Sequence, residues 1–510
     1  MVHVLFGIDR RAFAVLLLLS AIVAAARFYT ALEPLERDLT TYALVAHEVL
    51  DGKPFYTGIW DNKPPGIHFV YALAELAFGY GPKAIAWLNT LTSLAVLWAL
   101  FFVAGGRGNW ETGCWASAFW TLLSGSLAFE ANQPNTELFI NLLLILGFGV
   151  VAQLRPGRRS LGLCLTAGLL VGIASLFKQV VAAWFLAVGV AYLIHHRKTP
   201  TFWRQAGTQA LVVSGTVGTI WLLLYGYFAA TGRGEDFIDT LFRYGIYYSG
   251  NPFQSALMGF SSGRLIPDPL DFTIPLFLIV VPTAIWSSLK NSQTFPRPWF
   301  LLLGYIVACP VMIALPQRFF PHYYQLWLPV LALGLAWSIE RFGPSKRRLV
   351  LGISLLAFLG FFTWRDYRLS PDAISLRKYG WQFFEIRELS KKIPLYVGKE
   401  EPLYHWGFET GYYFYSQRSP ASRHLWCHYL LRGPGSEKRM RETLADLQAA
   451  KPPLVVVDIR YCVRSPISEP FFSWLETHYE NRSELPRSEN ARFWIRRSGP
   501  SEENPGSPAD

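Results

Sequence analysis

"WDNKPPG", residues 60–66, lies between two apolar stretches. Consecutive prolines bar a helix interior, because they lack the N–H and their rings crowd the preceding turn. Asp61 and Lys63 are costly inside hydrocarbon. The segment therefore reads as a stiff turn at a water boundary, with charges that need a reason.

Working outward, apolar runs long enough to span a bilayer, roughly 17–25 residues each, recur at 11–32, 84–104, 110–128, 136–154, 160–177, 180–196, 206–229, 272–289, 298–316, 322–340 and 347–364. That is about eleven spans. Composition agrees: 16% of the 510 residues are charged and 52% hydrophobic, with a mean hydropathy of +0.24. Soluble domains average roughly 25% charged. Arg10 and Arg11 precede the first run, which reads as an uncleaved span because no small-residue cleavage site leads into a soluble domain.

The loops set orientation. With a cytoplasmic N-terminus and an odd span count, Arg10, Arg11, Arg107, Arg155, Arg158, Arg159, Arg197, Lys198, Arg204, Lys290, Arg297, Lys346, Arg347 and Arg348 all fall inside. This accounts for much of the net charge of +11 without nucleic acid. The outside set holds two long loops, 33–83 and 231–271, and everything after Trp364. The first loop reads as two amphipathic juxtamembrane helices, 39–52 and 66–79, joined by the proline turn.

After Trp364 charges, aromatics and turn residues mix. "SEKRMRETLADLQAA" reads as an amphipathic helix and "PPLVVVDI" as a buried strand; "PLYV" and "RFWIRR" read as further strands. The expected organisation is a membrane domain over 1–364, a small extracytoplasmic α/β domain over 365–497 and a disordered tail over 498–510. Cys114, Cys164 and Cys309 lie in apolar runs and read as inert. Cys427 and Cys462 can pair if their part lies outside the cytoplasm. "HLWCH" offers two histidines at helical spacing, read as ordinary domain residues before metal ligands.

Topology brings several ionisable groups to one depth at the outer boundary: Asp38, Asp61, Lys63, Glu130, Glu137, Lys178, Arg243 with Tyr244, and Arg318 with His322 and Tyr323. Carboxylates there can take a proton from a hydroxyl or hold a polar substrate. Cations can hold a phosphate. Boundary charges also snorkel, cap helices and set topology, and each residue admits that reading.

The run "ERDLTTYALVAHEVLDGKPFYTGIWDNKPPGIHFVYAL" resembles the first extracytoplasmic loop of membrane glycosyltransferases with the GT-C fold, in the branch of protein O-mannosyltransferases and lipid A aminoarabinose transferases. Asp38 matches the acid after span one. Gly52, Pro54 and Tyr56 match the turn, Asp61 the second acid, and Lys63, Pro64 and Pro65 the Lys-Pro-Pro element. "QPNTELF", "RFFPHYYQLWLPVL" and "YHWGFETGYYFYSQRSPASR" resemble later elements, in order. Many members have Asp-Glu where this chain has Asp38-Leu39, which weighs against a metal-dependent arrangement there without excluding a divalent metal; no cofactor is indicated. The absence of eukaryotic sugar-binding insertions favours a bacterial enzyme.

The resemblance implies an α-helical polytopic membrane protein with a small outer domain, in the bacterial inner membrane. It implies transfer of a sugar from a polyprenyl-phosphate donor to a lipid, glycan or protein acceptor at the outer face. Asp38 would be the base, with Asp61 or Glu137 orienting the acceptor. Lys178, Arg243 and Arg318 would hold the phosphate, with Tyr244, His322 and Tyr323 lining the substrate. Lys63 would contact the phosphate or pin the loop through a carboxylate. The competing reading is a transporter or lipid flippase. Such proteins tend to carry ionisable groups at mid-membrane depth, whereas here they crowd one edge.

Overall fold

The computed structural model describes residues 8–105, 108–154, 160–197, 202–261, 263–264, 270–290, 298–342, 344–482, 488 and 490–497. The tail 498–510 and Arg107, Arg155, Arg158, Arg159, Lys198 and Arg297 of the basic set lie outside them. Each of the eleven apolar runs is occupied by a helix. Among the described residues five helices are long and apolar enough to cross a membrane: Arg10–Thr30, Pro82–Ala104, Phe202–Ala230, Phe272–Leu289 and Ser345–Tyr367. Twenty-odd residues at 1.5 Å each match a hydrocarbon layer of about 30 Å. Shorter apolar helices include Thr136–Val151, Leu161–Ser175, Val181–His196 and Trp299–Ala314. Large apolar side chains such as Leu18, Leu222, Leu223 and Phe361 face outward. Such a surface suits lipid, and the chain is a membrane protein.

The polypeptide divides into two units. Met1–Glu33 with Lys63–Lys378 forms one, and Pro34–Asn62 with Tyr379–Asp510 the other. The chain passes from the second back to the first inside the Trp-Asp-Asn-Lys-Pro-Pro-Gly stretch.

In the first unit, small residues let helices close. A Cβ on Gly168 would lie 2.6 Å from Thr216 Cβ, and one on Gly172 2.5 Å from Ile220 Cδ1. These glycines seat Leu161–Ser175 against Phe202–Ala230, as close packing in lipid requires. Buried indoles find carbonyls: Trp120 Nε1 donates to Ser93 O at 3.1 Å and Trp337 Nε1 to Ala104 O at 3.0 Å. The 322–340 run departs from expectation. Pro321–Trp327 is a 3₁₀ segment, and the α-helix starts only at Leu328 (Leu328–Arg341). Pro321 and Pro329 each sit where a helix begins, consistent with two short starts.

In the second unit, helix Arg37–Leu50 forms where the first amphipathic helix is expected. It packs into the unit along most of its length. Thr40, Thr41 and Glu48 on its polar side are buried. Both threonine hydroxyls bond Thr410 Oγ1 at 2.8 Å, and Leu35 N–H donates to Tyr415 OH at 2.7 Å. The second juxtamembrane helix, Gly66–Phe78 in the first unit, buries Ile67 and Tyr71 and exposes Phe69, Leu73 and Leu76.

Among the described residues four strands make the sheet: β1 (Leu403–Trp406), β2 (Leu454–Asp458), β3 (Tyr479–Asn481) and β4 (Ala491–Arg496), in the order β1-β2-β4-β3. The β1/β2 pair is parallel and the others antiparallel. Trp406 stacks on Phe471 at 4.0 Å in a core with Val455, Val457 and Leu475. β2, β4 and helix Ser436–Ala450 fall where the sequence places them. "PLYV" does not form a strand; Ile393–Leu395 is a 3₁₀ turn, and Pro394 supplies no N–H for a ladder. Cys427 and Cys462 are free thiols, the first buried and the second exposed.

Candidate functional site

One end of the first unit gathers five of the expected groups. Glu137 opens helix Thr136–Val151, where the unsatisfied N–H groups favour a carboxylate. Lys178 sits in the break between Leu161–Ser175 and Val181–His196 and forms an ion pair with Glu137. Its ammonium also lies 4.1 Å from the centre of the Tyr323 ring. Thr136 Oγ1 donates to the other Glu137 oxygen at 2.9 Å. Beside them, His322 Nδ1 and Glu130 Oε2 are 3.0 Å apart, both side chains buried. His322 lies in the 3₁₀ segment Pro321–Trp327, ahead of helix Leu328–Arg341. Burial alone would lower its pKa, but the Glu130 hydrogen bond and the charges of Glu137 and Glu130 outweigh it and raise the ring above its ordinary value.

The backbone here is unusual. Glu130, Gln317 and Phe319 adopt positive φ, at 49°, 57° and 49°. Non-glycine residues in this region carry strain of order 1–3 kcal/mol, and such residues cluster at functional sites. Gln325 Nε2 donates to Glu130 O at 2.9 Å and Asn141 Nδ2 to Gln325 O at 2.8 Å, which fixes the turn.

The Lys-Pro-Pro-Gly element belongs partly to this region. Gly66 N–H donates to Leu176 O at 3.0 Å, two residues before Lys178. A Cβ on Gly66 would lie 2.6 Å from that same oxygen. The glycine is required by close backbone approach, not by a left-handed turn. Lys63 is half-buried at the start of the element.

The second long loop makes its own arrangement. Arg243 is exposed and paired with Glu235 at 2.5 Å and Asp239 at 3.6 Å on its own helical stretch. Tyr244 is buried against Tyr247 and Tyr248. Arg318 lies over the Tyr248 ring at 4.5 Å and reaches Tyr248 O at 3.4 Å. No contact among the described residues joins Arg243 or Arg318 to Lys178. Gln179 Nε2 reaches Leu241 O at 3.5 Å, a long bond between this loop and the Lys178 segment.

Asp38 and Asp61 lie in the second unit. Asp38 is half-buried in the first turn of Arg37–Leu50; Glu36 Oε2 accepts its N–H at 3.0 Å, and Tyr42 OH donates to its Oδ2 at 3.3 Å. Asp61 is buried, accepts from Asn62 N–H at 2.8 Å, and faces Tyr56. Burial and then the Asp61 charge push the Tyr56 hydroxyl well above its usual pKa. Trp60 N–H donates to Arg423 O at 2.9 Å. Its ring meets Tyr429 edge-on at 4.7 Å, under the Arg439 guanidinium at 5.5 Å. His424 of "HLWCH" bonds Glu442 at 2.8 Å, and His428 packs on Phe408.

Sequence reading missed two networks. Glu409 is a buried carboxylate that accepts from Arg37 Nη2 and Gln382 Nε2, both at 2.5 Å. It fixes the residue next to Asp38. Glu33 is likewise buried and receives Asn132 at 2.7 Å, Gln133 at 2.9 Å and Lys378 at 2.9 Å. The acids were visible, but apart from Gln382, 27 residues from Glu409, their partners lie about a hundred or more residues away. Among the described residues no three His, Cys, Asp or Glu side chains converge to hold a metal ion.

No family model matches the chain, and no curated protein sequence does. Solved structures do match. ArnT from Cupriavidus metallidurans, in the apo state and bound to undecaprenyl phosphate, superposes with a TM-score of 0.63 at 15% identity, covering 94% of this chain and 97% of that one. The Archaeoglobus fulgidus oligosaccharyltransferase tethered with an acceptor peptide gives 0.50 at 12% identity, covering 96% of this chain and 74% of that one. The arabinofuranosyltransferase AftD from Mycobacteria gives 0.52 at 13% identity, covering 96% of this chain and 40% of that one. These likenesses establish the fold, the GT-C fold that the Lys-Pro-Pro loop implied.

Proposed function

We propose that this protein is a membrane glycosyltransferase that moves a sugar from a polyprenyl-phosphate donor to a lipid, glycan or protein acceptor at the outer face of a bacterial inner membrane. The observation that carries the reading is the likeness to ArnT, which extends over nearly the whole of both chains and includes a form bound to undecaprenyl phosphate. The Lys-Pro-Pro loop and the Glu137–Lys178–His322 cluster add to it.

In the proposed reaction the acceptor O–H loses its proton to Asp38 as its oxygen attacks the anomeric carbon. The bond from that carbon to the phosphate oxygen breaks, and polyprenyl phosphate leaves with the electron pair. One displacement without a protein nucleophile inverts the anomeric centre, by the same logic that separates inverting from retaining hydrolases. Lys178 is the first candidate for neutralising the departing phosphate, since Glu137 and Tyr323 orient its ammonium. Arg243 and Arg318 are further candidates, and Tyr244, His322 and Tyr323 line the substrate. Asp61 or Glu137 orients the acceptor; Lys63 contacts phosphate or pins its loop.

The test is transfer of radiolabelled sugar from a panel of polyprenyl-phosphate donors by the purified protein in detergent. Transfer without any gradient excludes the transporter reading. Failure across a broad panel, with the protein folded, restores it.

A further inference from the structure

Helix Ser345–Tyr367 ends beside a cavity of about 320 Å³, within the size range of ligand pockets, that the proposed chemistry leaves unused. Phe272, Leu359 and Phe362 form its apolar wall, and Arg365, Asp366 and Arg377 its polar rim. Asp366 is buried, and one of its oxygens serves both arginines: Arg377 Nη1 at 2.5 Å and Arg365 Nε at 3.6 Å. Two guanidinium groups share one carboxylate, so the rim keeps a surplus positive charge. Both arginine side chains are half-exposed, at 53% and 47%, so each can offer N–H groups to a ligand. The Arg365 guanidinium also lies 5.8 Å from the Phe362 ring centre, which holds it over the apolar wall.

The setting says what kind of ligand this is. Phe361 and Trp364 on the same helix are exposed, as expected where a spanning helix meets lipid and its interface. An apolar well beneath a cationic rim, at the end of a lipid-facing helix, fits an amphiphile with a negative head. Guanidinium forks match phosphate geometry. A choline ammonium on the same head would meet the rim's surplus charge unfavourably.

We propose that this cavity binds an anionic phospholipid, with its phosphate on Arg365 and Arg377 and the upper part of an acyl chain against Phe272, Leu359 and Phe362. The site is independent of the transfer reaction and of its outcome.

The experiment is native mass spectrometry of the delipidated full chain in detergent, titrated with phosphatidylglycerol or phosphatidylcholine. The wild type should bind phosphatidylglycerol more tightly than phosphatidylcholine. Arg365→Gln keeps the shorter Arg377–Asp366 pair, and should weaken phosphatidylglycerol about tenfold, the size of one charge-assisted hydrogen bond. Thr363→Trp fills the cavity, leaves all three charges, and should weaken it as much. Phosphatidylglycerol affinity unchanged in both variants, or equal affinity for the two lipids, overturns the proposal. Inorganic phosphate alone at the same concentration should leave phosphatidylglycerol binding intact. If it displaces the lipid fully, the ligand is a free anion and the lipid assignment fails.

Discussion

Lys178 shows at the residue scale why a boundary charge is more than a topology marker here. Its partner Glu137 is almost fully buried, so removing the cation leaves an uncompensated carboxylate. Lys178→Met is expected to destabilise the protein by about 3 kcal/mol, and Lys178→Met with Glu137→Gln to recover part of that loss. Thermal unfolding in detergent checks both. Equal melting of the single and double variants would mean the pair is not coupled. For Asp38 the expected readout is turnover. Asp38→Asn keeps size and should reduce transfer at least about a hundredfold with an unchanged melting curve. Normal transfer by that variant removes Asp38 from the base role.

At the element scale, two contacts hold the turn and the helix that carry the acids. The first is Gly66 against Leu176 O, where any Cβ must push backbone. Gly66→Ala should cost about 1–3 kcal/mol by overpacking and shift the Lys178 segment. A variant as stable and active as wild type would show that the segment yields freely. The second is the Glu409 clamp on Arg37 and Gln382. Glu409→Ala leaves that guanidinium without its buried partner and should destabilise the second unit by about 3 kcal/mol. Hydrogen exchange over Arg37–Leu50 reads this directly; unchanged protection there would dismiss the clamp. These contacts also explain what was legible. Helix Ser436–Ala450 and strand β2 follow from local periodicity. Strand β1 was missed because "LYHW" is four residues with no alternation, buried on both faces. Helix Arg37–Leu50 was legible from its apolar periodicity, but the Thr410 partner of Thr40 and Thr41 was not, because it lies some 370 residues away.

For the whole molecule, pH dependence follows from buried histidines in the second unit. Burial holds His405 down to about 4 from an ordinary 6.5, against the partial opposition of Asp458 and Glu409. Between these values the unfolded chain takes up a proton and the folded ring does not. Stability therefore falls as pH drops from about 6.5 towards 4, by up to about 3 kcal/mol. His424, also lowered by burial, adds in the same direction. His405→Gln should flatten the thermal-unfolding profile between pH 6.5 and 4.5; an unaltered slope would assign the dependence elsewhere.

Hydropathy alone was enough to determine that this chain is a membrane protein of many apolar helices with a polar C-terminal part, because transfer from water to hydrocarbon acts residue by residue. The Lys-Pro-Pro loop was likewise legible, since prolines restrict the backbone locally. Which charges meet was decided only by tertiary structure. Glu130 finds His322 across 192 residues, and Arg37 finds Glu409 across 372. No local pattern encodes such pairs, because they depend on how packed helices and a folded sheet bring distant turns together.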